Sequence, residues 1–160
     1  MYSDYMDVLR ENLIKSLQSG QAFVSYKKGL TGIKPELRNI RPNKAIHSIY
    51  EELEHMRRAQ EDLFNYMLDS DWESPNWPEG FWPEPDKALS GKEWKKTVDG
   101  FFDVLKKTTE LVGDKSIDLL SIVPGATEYT YLREILIIIE HNSYHFGKIL
   151  DNRKVLDNWK

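Results

Sequence analysis

The spacing of apolar residues is the feature that most limits how this chain can fold. In four long segments, apolar residues recur at steps of three and four, which is the spacing of one helix face. The most regular of these stripes contains Trp94, Val98, Phe101, Phe102, Leu105 and Val112. The apolar run 135–139 is short enough for a buried strand, but its helix-forming neighbours and the lack of a second strand candidate favour a helix. The pattern predicts an all-α protein, a four-helix bundle.

Two capping boxes mark the starts of the middle helices. Ser48 and Ser90 are each followed three residues later by a glutamate, and such pairs satisfy the first free N–H groups of a helix. The first of these helices is predicted to end near Leu68. Gly113 is a candidate C-cap for the second, because glycine is common just past a helix end.

The outer helices have weaker boundaries. The first is predicted to begin at a Ser3 cap and to be interrupted at Gly20. A short helix after it carries Phe23, Val24 and Tyr26, and Gly29, Gly32 and Pro35 then break the pattern. The last helix is predicted from near Thr127 or Thr130 to about Leu150.

Length and charge restrict the class of protein. The 160 residues suit a single domain over 1–160, and no cysteine is available for a disulfide, a thiolate metal site or cysteine catalysis. The 22 basic and 26 acidic residues give a net charge of −4, which disfavours nucleic acid as a partner. The longest apolar run is far shorter than a membrane span, and no secretion signal pattern is found. We therefore expect a cytoplasmic protein without membrane partners.

The segment 69–86 differs from the rest of the chain. It contains four of the seven prolines, three of the five tryptophans and six carboxylates, with no basic residue. Prolines at this spacing exclude an ordinary helix. The segment is either an ordered loop whose tryptophans fill gaps in the core, or a lid over a pocket.

Two of the four histidines, His141 and His145, lie four residues apart in the last helix. This spacing places both rings on one helix face, about 40° apart and one turn along, where both can reach one metal ion. The zincin protease motif also requires a glutamate directly after the first histidine, and here that residue is Asn142. The pair therefore indicates either a metal site of another kind or two histidines at the core edge.

A catalytic metal site usually needs a third protein ligand. The candidates are His47 and His55, and the predicted cap at Ser48 places His47 before the helix, so His55 is preferred.

Three carboxylates are candidates for a supporting hydrogen bond or for a base. Glu51 lies four residues before His55 and Asp62 seven after it, while Glu134 lies seven residues before His141. Each is as readily explained as a solvated carboxylate, so these are weak candidates and the catalytic residues stay unknown.

Three stretches resemble the DinB/YfiT-like superfamily, in the order of that family. The stretch 47–62 resembles its second helix, the Trp77–Pro83 segment resembles a loop of one branch, and 131–134 with 140–147 resembles its last helix. The resemblance implies an up-down-down-up four-helix bundle, often a homodimer. It also implies a divalent metal, Zn2+ or Ni2+, bound by His55, His141 and His145. Lys148 departs from the family pattern, in which glutamine is common, and residues 151–153 are less apolar than usual, which bears on substrate preference.

The resemblance leaves the activity open. Members of the superfamily include transferases and isomerases that use low-molecular-weight thiols, so one expectation is a metal-dependent transferase that takes its thiol from a small-molecule substrate. A hydrolase with metal-activated water is the second, with Glu51 as a conceivable base. The alternative is a non-catalytic metal- or ligand-binding helical protein of the damage or stress response.

Overall fold

The computed structural model describes residues 2–85 and 88–159, with the side chains of residues 2–4 outside the description. Its α-helices are α1 (Tyr2–Gln18), α2 (Tyr26–Leu30), α3 (Ile49–Tyr66), α4 (Gly91–Gly113) and α5 (Tyr131–Val155). A single 3-10 turn, Pro35–Leu37, and an isolated bridge between Ile122 and Thr130 complete the regular elements of the described ranges. The predicted all-α fold is confirmed.

Both predicted capping boxes form. At the start of α3 the Ser48 hydroxyl accepts from the Glu51 N–H at 3.1 Å, and the Glu51 carboxylate accepts from the Ser48 N–H at 2.7 Å. Ser90 and Glu93 make the same two bonds at the start of α4. These caps satisfy helix donors that would otherwise lack a partner, so α3 begins directly after residue 48. His47 therefore lies outside the helix, as the capping signal predicted.

The ends of the outer helices differ from the predictions. Ser3 lies inside α1, which begins at Tyr2, and is not a cap. α5 begins after a cap at Thr130 and continues beyond Leu150 to Val155. α3 ends at Tyr66, two residues before the predicted end. Asp86, the last residue of the predicted loop, lies outside the described residues.

The short second helix lies later than predicted. Its cap is Ser25, so Phe23 and Val24 precede α2 rather than belonging to it. Gly29, interpreted as a helix breaker, is inside α2. A Cβ at this position would lie 2.2 Å from the Phe146 ring. Glycine is therefore required here because α5 approaches closely. The interpretation of Gly29 as a helix breaker was wrong, since its role is set by packing against α5 and not by its low helix propensity.

The directions of the long helices follow from contacts between them. Arg10 in α1 donates to the Val112 carbonyl at 2.6 Å, near the end of α4. Asp7, one turn earlier in α1, pairs with Lys115, just beyond α4, at 2.8 Å. Residue numbers thus fall along α1 as they rise along α4, so these two helices are antiparallel.

Contacts of α3 give the remaining directions. The Thr97 hydroxyl donates to Glu54, and the Gln60 amide donates to the Phe101 carbonyl, so α3 and α4 are parallel. On the other side, Gln60 accepts from Asn142 while Glu52 contacts His145, so α3 and α5 are antiparallel. With α2 as a short addition, the long helices therefore run up, down, down and up, as the family resemblance implied.

The core lies between the four long helices. Trp94, Phe101 and Leu105 of the predicted α4 stripe are buried, while Val98 and Phe102 are half-buried at its edge. Tyr26 from α2 meets the ring of Phe101 edge-on, with centroids 5.3 Å apart. Among the described residues, no helix combines the length and apolar character that crossing a bilayer requires.

Tyr26→Phe should reduce the loss of stability at alkaline pH. Tyr26 is 2% exposed, and burial raises the pKa of its phenol to about 12, against a smaller lowering by Ser143. A tyrosine in the unfolded chain ionises near pH 10, so the unfolded state gains stability as pH rises from about 10 to about 12. The free energy of unfolding of the wild type should therefore fall more steeply over this interval than that of the variant.

Denaturant titrations across this pH interval would measure the difference. Tyr5→Phe is the matched control, because Tyr5 is 69% exposed, and its curve should follow that of the wild type. Parallel curves for Tyr26→Phe and the wild type would show that this phenol does not control the alkaline transition.

Candidate metal centre

Three histidines converge where α3 packs against α5. His55 comes from the second turn of α3, and His141 and His145 come from successive turns of α5. One ring nitrogen of each lies within 4.8 Å of those of the other two, and the Nε2 atoms of His55 and His141 are 3.0 Å apart. His55 and His145 are buried and His141 is half-buried. The antiparallel packing of the two helices therefore brings together residues 86 positions apart in the sequence.

The outer ring nitrogens of two histidines are held by hydrogen bonds. His55 Nδ1 donates to the Phe81 carbonyl at 3.1 Å, and His145 Nδ1 donates to the Glu52 carboxylate at 2.5 Å. These acceptors place the ring proton on Nδ1 and leave the lone pair of Nε2 for another partner. A hydrogen bond from the far nitrogen to a carbonyl or carboxylate is the usual support for a metal-binding histidine.

The donor set fits a divalent metal ion. Zinc binds histidine nitrogens at about 2.0–2.1 Å, so two ligands of a tetrahedral site lie about 3.3 Å apart, close to the observed 3.0 Å. Burial lowers the pKa of His55 to about 4, although the hydrogen bond to Phe81 opposes this. Burial and the neighbouring histidines lower the pKa of His141 to about 3. Both rings are therefore neutral at pH 7, the form that binds metal.

The proline- and tryptophan-rich loop covers the histidines. The Trp82 ring lies between two imidazoles, 3.9 Å from that of His55 at 5° and 4.0 Å from that of His47 at 20°. Arg58 on α3 holds the loop by donating to the carbonyls of Gly80 and Trp82 at 3.2 and 2.9 Å. Of the two interpretations of this loop, the contacts of Trp82 favour a cover over the site.

The other two tryptophans of this loop, Trp77 and Trp72, lie outside the bundle core. Trp77 is 67% exposed, and its ring meets that of His55 with centroids 6.2 Å apart. The Trp72 indole N–H donates to Asp62 at 2.8 Å. These two side chains therefore do not fill gaps in the bundle core.

The three weak carboxylate candidates have partners of their own. Glu51 forms the capping box with Ser48 and an ion pair with Arg41. Asp62 holds Trp72 at the far end of the loop. Glu134 is buried and accepts from Arg133 at 2.6 Å. None of their described hydrogen bonds reaches a histidine of the cluster, so a role in the site stays a hypothesis for each.

Glu52 is the carboxylate that sequence reasoning missed. It is 1% exposed and bonds His145, and its second oxygen lies 3.8 Å from the ammonium of Lys148. Glu52 is three residues before His55 and so lies near it on the same face of α3. Spacing allows both Glu51 and Glu52 near His55, and the capping box, which occupies the Glu51 carboxylate, is the sequence signal that favours Glu52.

Two clefts border the site on either side of His47. A cleft of about 220 Å3 is lined by His47, Glu52 and Lys148, among others. A larger cleft of about 450 Å3 lies beside Trp82, with Pro78 and Pro83 in its wall. His47 itself stands beyond Trp82 and does not belong to the three-histidine group.

Glu52→Gln should weaken zinc binding by about 10- to 100-fold, the usual cost of losing such a supporting carboxylate. Competition for Zn2+ with a chromophoric chelator would measure the affinity. Glu134→Gln is the matched control, since Glu134 is equally buried at 1% exposure but bonds Arg133. Unchanged affinity in Glu52→Gln, or an equal loss in the control, would contradict a specific role for Glu52.

Comparison with known proteins agrees with the sequence resemblance. A family model described as the DinB superfamily matches residues 20–149, which include all three histidines. No curated protein and no solved structure gives a significant match. Since the matched segment covers most of the 160 residues, the chain belongs to the DinB superfamily.

Proposed function

We propose that this chain is a metal-dependent enzyme whose ligands are His55, His141 and His145, with Zn2+ or Ni2+ as the ion. The observation that carries the proposal is the convergence of three ring nitrogens within 4.8 Å of one another. Two of the rings are oriented by hydrogen bonds from Nδ1, that of His55 to the Phe81 carbonyl and that of His145 to the Glu52 carboxylate. Three protein ligands are typical of catalytic zinc sites, which keep one position open for water or substrate, whereas structural sites usually have four.

The chemistry proposed is transfer of a small-molecule thiol, with hydrolysis as the second form. A bound divalent ion would lower the pKa of a thiol or water that contacts it, so that a nucleophile is available at neutral pH. The chain has no cysteine, so the thiol must come with the substrate. Glu52 holds the proton of His145 on Nδ1, and the Phe81 carbonyl does the same for His55. Trp82 excludes water from one face of His55.

The substrate is proposed to bind in the clefts beside His47. The smaller cleft is lined by Glu52, the residue whose carboxylate accepts the hydrogen bond from His145, so this cleft is next to the metal site. Lys148 gives this cleft a cation that is 36% exposed in its side chain. The larger cleft offers the Trp82 ring and prolines to an apolar group. A small molecule with one polar and one apolar end suits this pair of surfaces.

Metal analysis followed by activity screening tests the proposal. The protein is purified without a histidine tag, its metal content is measured, and it is reloaded separately with Zn2+ and Ni2+. Each form is assayed for transfer of small thiols to electrophiles and for ester and amide hydrolysis. About one ion per chain with metal-dependent turnover would support the enzyme. Stoichiometric metal without turnover across the screen would favour the non-catalytic alternative.

We also propose that the chain acts as a homodimer in the cytoplasm. The dimer is supported by the family, and the absence of cysteine is compatible with a reducing compartment. Light scattering tests the assembly, and a monomer at micromolar concentration would contradict it.

Trp82→Ala should impair substrate binding or turnover more than metal content. Its ring stacks on His55 without offering a ligand atom, so its loss opens the site and leaves the three ring nitrogens in place. Metal content, thermal midpoint and activity would be measured together. Trp72→Ala in the same loop is the control, since its indole bonds Asp62 away from the cluster. Loss of metal and fold together in Trp82→Ala would identify the loop as core packing instead.

A further inference from the structure

A separate cleft, of about 490 Å3, lies between α2 and the end of α5 and includes none of the three clustered histidines. Its wall contains Lys27 and Lys28 from α2, Arg153 from α5, and Asn158 and Trp159 from the segment after α5. We propose that this cleft binds the phosphate group of a small phosphate monoester. The proposal is independent of the metal centre.

The charged residues known to line the cleft are all positive. Lys27, Lys28 and Arg153 line it, and no carboxylate of the described residues does so. Both lysines are exposed, and neither forms an ion pair with a carboxylate in the described part of the chain. Three cations concentrated in one concave surface of a chain with net charge −4 attract anions locally.

Arg153 gives the cleft a buried cation that has no carboxylate partner among the residues the structure describes. It is 4% exposed, and within the same residues its guanidinium donates to backbone carbonyls alone, that of Gly29 at 2.6 Å and that of Asn158 at 2.8 and 3.2 Å. An arginine has five N–H donors, so two are left after these three bonds. The end of the α5 dipole compensates part of the charge. Burial lowers the pKa of Arg153, as expected for a cation that no carboxylate among the described residues pairs with. An anion in the cleft would supply the missing negative charge.

The remaining polar atoms indicate which anion fits. Ser25 accepts from the Lys28 N–H through its oxygen, so its own hydroxyl proton is available to an acceptor. A ligand with several anionic oxygens can accept from the two lysines, from Arg153 and from the Ser25 hydroxyl. A phosphate monoester has such oxygens, and its double charge suits three cations better than the single charge of a carboxylate does.

Titration of the isotope-labelled full-length protein, followed by NMR, tests the site. The probes are inorganic phosphate and glycerol phosphate, with glycerol and acetate as comparison, all at one ionic strength. We expect saturable shifts of the Trp159 indole N–H and the Arg153 Nε–H with both phosphates. Lys27→Gln/Lys28→Gln should weaken phosphate binding by about tenfold or more, because it removes two of the three cations. These side chains are exposed, so the thermal midpoint should stay unchanged.

Lys106→Gln/Lys107→Gln is the matched control. It removes the same charge from exposed positions on α4 that do not line the cleft. Equal weakening in this control would show nonspecific attraction and overturn the proposal. Shifts that map elsewhere, or unchanged affinity in Lys27→Gln/Lys28→Gln, would overturn it as well. Acetate binding as tightly as phosphate would contradict the phosphate assignment.

Discussion

His145→Ala should remove most of the bound metal from the purified protein. His145 is one of only three ligands in the proposed site, and two ligands rarely retain an ion at an open site. The variant also leaves Glu52 without the imidazole that it now bonds at 2.5 Å, so the remaining site is less ordered. Elemental analysis of protein purified without a tag would measure the loss, and a chelator competition would measure the change in affinity.

His47→Ala tests whether His47 is a metal ligand or only lies next to the site. His47 contacts the far face of Trp82 and lies outside the three-histidine group, so its loss should leave the metal content unaltered. Full metal occupancy in His145→Ala would show that the ligand assignment is wrong. A large loss in His47→Ala would show that the histidine before α3 takes part after all.

Phe101→Ala should lower the free energy of unfolding by about 3–5 kcal/mol, the usual cost of truncating a buried phenylalanine. Phe101 has no exposed surface, and its ring contacts those of Tyr26 and Phe102 with centroids 5.3 Å away in each case. Its removal leaves a cavity between α4 and α2 that the surrounding side chains can fill only in part. For a chain of this length the melting temperature should fall by roughly 10 °C or more, measured by thermal unfolding.

Phe102→Ala is the matched control for this measurement. Phe102 is the same residue type at the next position of α4, but it is half-buried, so its truncation should cost clearly less. Equal melting temperatures for Phe101→Ala and the wild type would place the α4 stripe at the surface and contradict the packing. A larger loss of stability in Phe102→Ala than in Phe101→Ala would show that the buried face of α4 is centred one residue later.

Much of the fold could be predicted from the sequence because the hydrogen bonds and caps of a helix join residues close in sequence. The capping boxes at Ser48 and Ser90 each use residues three apart, and the structure forms both. Gly29 shows where local reasoning fails: it is a helix breaker by propensity, yet it lies in α2 because the Phe146 ring needs the space. α5 extends beyond its predicted end near Leu150 for a related reason, since Arg153 is held there by the Gly29 carbonyl, 124 residues away in the sequence.

The residues of the candidate site also differ in whether local sequence could identify them. The four-residue spacing of His141 and His145 defined one side of it, and the cap at Ser48 separated His55 from His47. The choice between Glu51 and Glu52 could not be made from spacing alone. Adjacent residues on a helix point about 100° apart, so the orientation of α3 toward α5 selects Glu52 for His145 and leaves Glu51 to Arg41.

The sequence by itself determined the all-α class, the starts of α3 and α4, and a histidine pair that a metal could use, because each depends on residues within one or two helical turns. Only the tertiary structure decided that Glu52 and the Phe81 carbonyl orient the rings, that Trp82 stacks on His55, and that a basic cleft forms at the C-terminal end of α5. These contacts, with that of Arg153 to the Gly29 carbonyl in the cleft, join segments 26 to 124 residues apart. No local pattern specifies them, because helix packing and the path of a loop set their distances.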